Sequence, residues 1–409
     1  MPIARLSLKP RALRGLWAIV LGAVLLIIGG CETLGFYSQA VVGQVGVLHK
    51  RQPVAKVLAE LEAEIDLNAE RRALLSGLTA SQQILAFAEN ELGMDVGKRY
   101  RTYVELSKPH IVWNVFAAPE LDLAPRTWCY PVAGCAPYRG YFDESRAERY
   151  ARKLVDQGLD VYVGGVAAYS TLGWFEDPLL SSFIGWPEAN LAELLLHELA
   201  HGQVWVKGDV EFNEAFATFV GRRGATLWIN QRQGTTGVEA YLERRAQWRS
   251  MTDLLLATRG ALQEVYDADP LSDETKRGEK VAVIDRARAC YLANRDALGS
   301  GRFDGVIAEV NNAYLVSLAT YQDNVPAFAA LHADAGGEWT PFYAAVQELA
   351  RLESDVRGER LLALREEHVT HAGDDERADQ VQCEPLLGHG FNAEAAGAEH
   401  DDIRGGRHR

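Results

Sequence analysis

Two histidines lie one helical turn apart, with a glutamate between them, in the apolar sequence LLLHELAHGQVWV, residues 194–206. His197 and His201 are four residues apart, so a helix places both imidazoles on one face. Buried polar side chains cost free energy unless a partner compensates them, and a metal ion is one such partner. Glu198 follows the first histidine and is placed to act on a metal-bound water. The spacing therefore predicts a hydrolytic metal site.

A third ligand is expected shortly after this motif, since a catalytic metal site needs three protein ligands and an open position. The sequence NEAFATFVG, residues 213–221, supplies Glu214 near the start of a second predicted helix. The break KGD at 207–209 lets the chain reverse and bring Glu214 over the histidines. Glu211 is the second candidate, although acids are also favoured near a helix start for electrostatic reasons.

The elements that must position these residues are mostly helical. Apolar periodicity and capping residues predict an α+β fold, predominantly α-helical, with a few strands before the motif helix. The predicted helices span 54–76, 80–92, 143–158, 187–206, 211–225, 237–268 and 274–297, with shorter ones between 304 and 353. The predicted strands include RTYVELS, HIVWNVFAAP and the segment that begins LDVYVGG.

The strings HELAH and NEAFA together resemble the gluzincin metallopeptidases, particularly the aminopeptidase-N-like members. With the leader and the cysteine loop described below, they resemble a family of bacterial lipoprotein aminopeptidases, from about Cys31 to residue 353. The resemblance implies a zincin-like core with a small β-sheet before the HExxH helix. It implies Zn²⁺ as the cofactor, with His197, His201 and Glu214 as ligands, Glu198 as general base, and a peptide as substrate.

The chain departs from the aminopeptidase-N-like pattern in two places. Only 12 residues separate His201 from Glu214, fewer than in those enzymes, and their Gly-x-Met-x-Asn strand is absent. Glu176 or Asp177 could hold a substrate α-amine instead, although acids before a proline are often turn residues. A zinc aminopeptidase is therefore the leading interpretation. The alternatives are a zinc endopeptidase that matures envelope proteins and a lipoprotein that binds zinc without catalysis.

Hydrolysis through a tetrahedral intermediate also calls for a neutral hydrogen-bond donor to the oxyanion. Tyr314 is the leading candidate because NNAYLVSLATYQDN places asparagines beside it, and Tyr321 and His332 are alternatives. Each could equally be an ordinary core or surface residue. Thr218 lies one turn after Glu214 and could hydrogen-bond a ligand histidine.

The N-terminal segment is predicted to be a lipoprotein signal peptide, residues 1–30. Four basic residues precede the 13-residue apolar run LWAIVLGAVLLII, which is short for a bilayer span and typical of a signal peptide. The string IGGC then resembles a bacterial lipobox, with Cys31 as the lipidated residue. An uncleaved signal anchor is the alternative. Glu32, rather than Asp, implies by that resemblance an outer-membrane location facing the periplasm.

Cysteine usage agrees with export. Cys129 and Cys135 lie in the loop WCYPVAGCAPYRGYF and are predicted to form a disulfide, which the periplasm permits. Two unpaired thiols are the alternative. Cys290 and Cys383 have no predicted partner.

Composition bounds the remaining possibilities. The 409-residue chain has a formal net charge of −14, a poor balance for replacing phosphate counterions, so no nucleic-acid partner is expected. Residues 31–353 are predicted to form the metallopeptidase domain. Residues 354–409 are predicted to be a charged extension that is disordered from about 372, where the chain becomes acidic and loses periodicity.

Overall fold

A computed structural model describes residues 35–130, 134–167, 176–318 and 324–371 of the chain, without the side chains of 367–371. The predicted leader, Cys31, Tyr321 and the predicted disordered tail lie outside these described residues. Within them the fold is α+β and mostly helical, which confirms the predicted class.

The helices are, in chain order, α1 (35–49), α2 (Val54–Glu62), α3 (Ala69–Asn90), α4 (Glu144–Val155), α5 (Ser181–Ile184), α6 (Glu188–Ala200), α7 (Val210–Asp267), α8 (Asp273–Ala293), α9 (Asp304–Ala308), α10 (Asn312–Leu318), α11 (Val325–Asp334), α12 (Trp339–Ala350) and α13 (Ser354–His371). Among the described residues, no helix combines the length and the apolarity that crossing a bilayer requires.

The strands of the described residues all precede α6 and form small sheets. They are β1 (Gln52–Pro53), β2 (Thr102–Val104), β3 (Val112–Pro119), β4 (Trp128–Tyr130), β5 (Gly134–Ala136), β6 (Arg139–Tyr141), β7 (Leu159–Val166) and β8 (Leu179–Leu180). One sheet has the order β1-β2-β8, with β2 and β8 parallel. A second has the order β6-β3-β7 and is antiparallel throughout, and β4 pairs with β5 as a hairpin.

Alternation along β3 explains how the second sheet packs. Trp113, Val115 and Ala117 alternate with less buried residues, as expected for a strand with one covered face. Ala147 and Leu154 of α4 cover that face and complete a small hydrophobic cluster. The sheet therefore has its own core, apart from the helical cores.

Two larger cores lie among the helices. The first is built from α2, α3, α6, the first half of α7 and the helices from α11 onward. The second is built from the last part of α7, α8, α9 and α10. Because α6 and the start of α7 lie in the first core, the HELAH motif is attached to the largest buried cluster.

Two predicted helix bounds are wrong in the N-terminal third. The helix predicted over 54–76 stops at Glu62, and α3 begins at Ala69 because the Asn68 side chain accepts a hydrogen bond from the Arg71 amide at 2.8 Å. The helix predicted over 80–92, with Thr79 as a possible N-cap, is the continuation of α3. The Thr79 hydroxyl instead donates to the Leu75 carbonyl at 2.8 Å within that helix.

The predicted gap after residue 225 is also wrong. Helix α7 runs from Val210 to Asp267, interrupted by Gly234, whose φ of 66° and ψ of −162° are non-helical. A glycine tolerates this backbone, so the two helical segments change direction there without a longer loop. The pair of predicted helices is thus one element with a sharp kink.

Candidate active site

Helix α6 presents the motif to the rest of the site. It begins after Pro187, which acts as its N-cap residue, and it buries a leucine-rich face in the first core. His197 lies in its last turn and His201 is its C-cap residue, so both imidazoles project from the same end. The two rings are 4.9 Å apart between centroids and perpendicular to each other.

Glu214, near the start of α7, comes back over this pair. Its Oε2 lies 3.3 Å from Nε2 of His197, and its Oε1 lies 3.7 Å from Nε2 of His201. The structure therefore brings together all three residues that the sequence predicts as ligands.

The reversal that returns Glu214 is held by side chains. Asn213 is fully buried and bonds both the amide and the carbonyl of Val206, each at 2.8 Å. Asp209 caps α7 by accepting from the Phe212 amide at 3.0 Å. Arg357 of α13 in turn binds the Asp209 carboxylate at 2.7 and 2.9 Å. A chain of contacts thus fixes the turn between the two ligand-bearing helices.

Close packing of α6 against α7 sets the distance between His197 and α7. A Cβ at Gly221 would lie 2.7 Å from the Glu193 carbonyl oxygen and 3.0 Å from the Cβ of His197. A Cβ at Gly224 would lie 2.6 Å from Leu196. The leucine side chain can move aside but the backbone oxygen cannot, so Gly221 is the position that allows α6 and α7 to come together at the ligands.

The geometry of the triad fits a metal ion. One ligand atom from each of His197, His201 and Glu214 can be chosen so that all three lie within 4.8 Å of one another. A tetrahedral ion with bonds of about 2.0–2.2 Å spaces its ligand atoms about 3.3–3.6 Å apart. The two histidine–carboxylate distances above are close to that range, so the triad could hold a metal ion.

The electrostatics of His201 and Glu214 favour the forms that bind cations. Burial, with the charge of His197, lowers the pKa of His201 to about 4, so this imidazole is neutral at neutral pH. Burial opposes ionisation of Glu214, but its hydrogen bond with His197 and the histidine charges lower its pKa overall. Burial lowers the pKa of His197, whereas Glu214 and Glu198 raise it by more, so the net direction is upward. A cation would replace this proton.

Two tyrosines near the motif were not anticipated from the sequence. Burial raises the pKa of Tyr100, and the charges of Glu198 and Asp177 raise it further. Burial also raises the pKa of Tyr138, which lies just before β6, and the charge of Glu214 adds to this. Both hydroxyls are therefore neutral donors within electrostatic reach of the motif carboxylates. No local pattern indicates them, since the sheets bring them in from more than 50 residues away.

Other sequence candidates lie elsewhere or have other partners. Tyr314 packs its ring against Tyr162 at 4.7 Å between centroids, in the second core, and burial with Tyr162 raises its pKa to about 12. Buried His332 lies among aromatic rings that include Trp339. Glu211 is exposed and accepts a hydrogen bond from Asn324 at 2.5 Å.

The remaining predicted residues are also located. Among the described contacts, Thr218 makes no hydrogen bond to either histidine, so its role stays a prediction. Glu176 is half exposed and 3.6 Å from Lys98, whereas Asp177 is only 4% exposed. The backbone carbonyl of Asp177 accepts from the Tyr100 amide at 2.8 Å, which brings this second acid toward the motif.

The cysteines of the described residues are disulfide-bonded. Cys129 and Cys135 are joined by a disulfide across the β4–β5 hairpin. Cys290 is disulfide-bonded as well. Cys31 lies outside them too, so the lipobox stays a prediction.

Comparison with known proteins gives one match. The model of the family described as "Putative aminopeptidase" matches residues 35–361, well over half of the chain, and this range includes the whole triad. No curated protein and no solved structure matches the chain.

Proposed function

The chain belongs to this aminopeptidase family, and from that premise we propose that it is a zinc-dependent aminopeptidase with a zincin-like core. The observation that carries the proposal is the convergence of His197, His201 and Glu214, with Glu198 next to the first ligand. Peptidase activity follows from the family, whereas the metal and the mechanism are inferred from the site.

Zinc is the ion that this donor set suits best. Two imidazole nitrogens and one carboxylate oxygen, with a fourth position left for water or substrate, are typical of zinc in hydrolytic enzymes. When bound there, the ion supplies a Lewis acid that polarises the substrate carbonyl and lowers the pKa of a water ligand to about 7.

The chain's own residues then divide the work. Glu198 accepts the proton of the attacking water and passes it to the nitrogen of the leaving amine. Its position beside His197, on the same end of α6, supports this role. The Tyr138 hydroxyl, kept neutral by burial and by Glu214, is a candidate donor to the developing oxyanion. Tyr100, beside Glu198, is better placed to orient that carboxylate.

An exopeptidase needs an acid for the substrate's free amine, and the structure favours Asp177 over Glu176 for this role. Asp177 is buried, and its charge raises the pKa of Tyr100, as does the charge of Glu198. Glu176 is instead exposed and paired with Lys98. A buried carboxylate near the general base is a suitable partner for an ammonium group, which supports aminopeptidase over endopeptidase action.

The test is Glu198→Gln, measured for zinc content, melting temperature and peptide hydrolysis on one preparation. Glutamine keeps the size of the side chain and removes the base, and general-base help contributes about 10²–10⁴-fold in rate. We expect stoichiometric zinc, an unchanged melting temperature and loss of nearly all hydrolysis.

The matched control is Glu211→Gln, which removes an exposed carboxylate three residues from Glu214. It should retain both zinc and activity. Substantial hydrolysis by Glu198→Gln would reject the mechanism. Comparing a peptide with its N-acetylated form tests the amine requirement, and equal cleavage of both would favour an endopeptidase.

A further inference from the structure

A cavity of about 610 Å³ lies beside the catalytic motif. His197 and Glu198 form part of its wall, and residues from α7 form the opposite side. Its volume is within the roughly 300–1,000 Å³ of pockets that enclose small organic ligands. The cavity therefore opens onto the reacting atoms and suits a short peptide.

The cavity follows one face of α6. Asn190 and His197 both line it, and seven residues of helix correspond to about 10 Å. An extended peptide advances about 3.3 Å per residue, so this length takes about three residues. A short substrate bound at the motif would thus have its far end inside the same cavity.

The wall carries more positive charge than its acids neutralise. Glu193 already binds Arg245 at 2.7 Å and accepts a hydrogen bond from Tyr241 at 2.7 Å. Arg244 and Arg302 also line the cavity, and the side chain of neither has a hydrogen-bond or ion-pair partner among the described residues. The guanidinium groups of Arg244 and Arg302 are therefore available to bind a ligand in the cavity.

The Arg244 side chain has a buried donor without a partner among the described residues. Its Nε is buried and makes no hydrogen bond within the described part of the chain. Leaving a buried donor unsatisfied costs free energy, and the cost is larger when the group is charged. A carboxylate compensates this cost, because its two oxygens match the fork of guanidinium donors.

Two tryptophans provide apolar surface at the same cavity. Trp186 is 40% exposed and Trp248 is 47% exposed, and both line the cavity. Tryptophan supplies large rigid contact area for side chains or peptide planes. The cavity therefore offers both apolar contact and an anion site.

We propose that this cavity binds the carboxylate of a short peptide substrate, through Arg244 and Arg302, while the scissile bond lies at Glu198. The inference rests on the proposed function and adds the substrate class: peptides of about two to four residues that carry a carboxylate at the end remote from the free amine. The carboxylate is a free C-terminus or an acidic side chain.

The first measurement is binding, which does not depend on catalysis. The zinc-loaded Glu198→Gln protein is titrated with Ala-Ala-Ala and with its C-terminal amide. Charge-assisted hydrogen bonds contribute about 1.5–3 kcal/mol, so the free acid should bind about ten- to hundredfold more tightly. Arg244→Gln in the same background should bring the two affinities close together.

The matched control is Arg232→Gln. This arginine is also on α7, but it pairs with Glu188 at 3.1 Å and does not line the cavity. It should keep the preference for the free acid. A third peptide, Ala-Glu-Ala amide, distinguishes the sources: tight binding would assign the site to an acidic side chain, and weak binding to the C-terminus.

The second measurement is kcat/KM for the acid and the amide with the otherwise unaltered enzyme. A preference for the acid that Arg244→Gln removes would support the proposal. Equal binding and equal cleavage of acid and amide would overturn it even if hydrolysis is fast. Acid-selective binding without any hydrolysis would instead reject the proposed peptidase function and retain the carboxylate site.

Discussion

The residues of the candidate site divide into two groups. A local sequence pattern predicts the position of the first group but not that of the second. His197, Glu198 and His201 lie on one helix, where a spacing of four residues directly gives a shared face. Glu214 is more distant, but a single tight reversal relates it to them. The triad was therefore predictable from the sequence, because its geometry depends on one helix and one turn.

Tyr138 and Arg244 had no such signal. The charge of Glu214 raises the pKa of Tyr138, which lies 76 residues earlier in the chain and is brought near it by a sheet. Arg244 reaches the cavity because α7 changes direction at Gly234. Neither the pairing of the strands nor the direction of the kink can be derived from composition or periodicity. Tyr314, the residue that the sequence favoured as oxyanion donor, instead packs in the second core.

We expect Tyr138→Phe to lower kcat about 10²–10³-fold while zinc content and KM change little. The substitution removes one donor without changing the ring, and the loss of one oxyanion donor typically has this size. Steady-state kinetics and metal analysis on the same sample provide the measurement. Tyr314→Phe is the comparison, and a larger loss of kcat there would return the role to the sequence-predicted residue.

At the level of elements, the predominance of helix was predictable and several bounds were not. Thr79 was expected to begin a helix because threonine is a common N-cap, yet its hydroxyl bonds the preceding turn inside α3. Gly77, two residues earlier, lies where a Cβ would meet the Ile184 carbonyl oxygen. The absence of a side chain at this position lets α3 pack against α5. A local sequence pattern cannot distinguish a glycine with this role from one that ends a helix.

The glycine contact between α6 and α7 gives a prediction at this scale. Gly221→Ala adds a methyl group where the Glu193 carbonyl is 2.7 Å away, so the two helices must move apart. Overpacking of this kind costs about 1–3 kcal/mol. We expect a lower melting temperature and weaker zinc binding, measured by thermal unfolding and by competition with a chelator.

Gly260→Ala is the matched control for that variant. Gly260 is on the same helix and has nothing within 4 Å of the added Cβ, so alanine should stabilise the protein by about 0.5–1 kcal/mol. Full zinc affinity in Gly221→Ala would show that the close approach of the helices does not position His197.

Across the whole molecule, the helices after the motif support the site rather than extend away from it. Leu361 and Leu364 of α13 are buried in the first core, and Arg357 holds the turn at Asp209. The sequence interpretation placed this helix in a charged extension because its exposed residues are mostly charged. Its few apolar positions gave no sign that this helix packs against α11 and α12.

The prediction for the whole molecule concerns its attachment. We propose that Cys31 carries a lipid that holds the enzyme at the outer membrane, as the string IGGC and the preceding apolar run indicate. Cys31→Ala should then lack the mass of the lipid and leave the membrane fraction, or remain unprocessed. Intact mass and membrane fractionation provide the measurement.

A second variant tests the destination separately from the anchor. By resemblance to bacterial lipoproteins, Glu32→Asp should keep the lipid and shift the protein to the inner-membrane fraction. An unchanged mass and distribution for Cys31→Ala would rule out the lipobox interpretation.

The bond between Arg357 and Asp209 also has a consequence for the order of events during biosynthesis. A chain made from its N-terminus presents the HELAH motif and Glu214 long before the arginine that steadies the turn between them, since 148 residues separate the two partners. Until the last described helix emerges, the ligands exist without that support. The turn that brings Glu214 over the histidines is therefore completed late, when the last described helix has joined the fold.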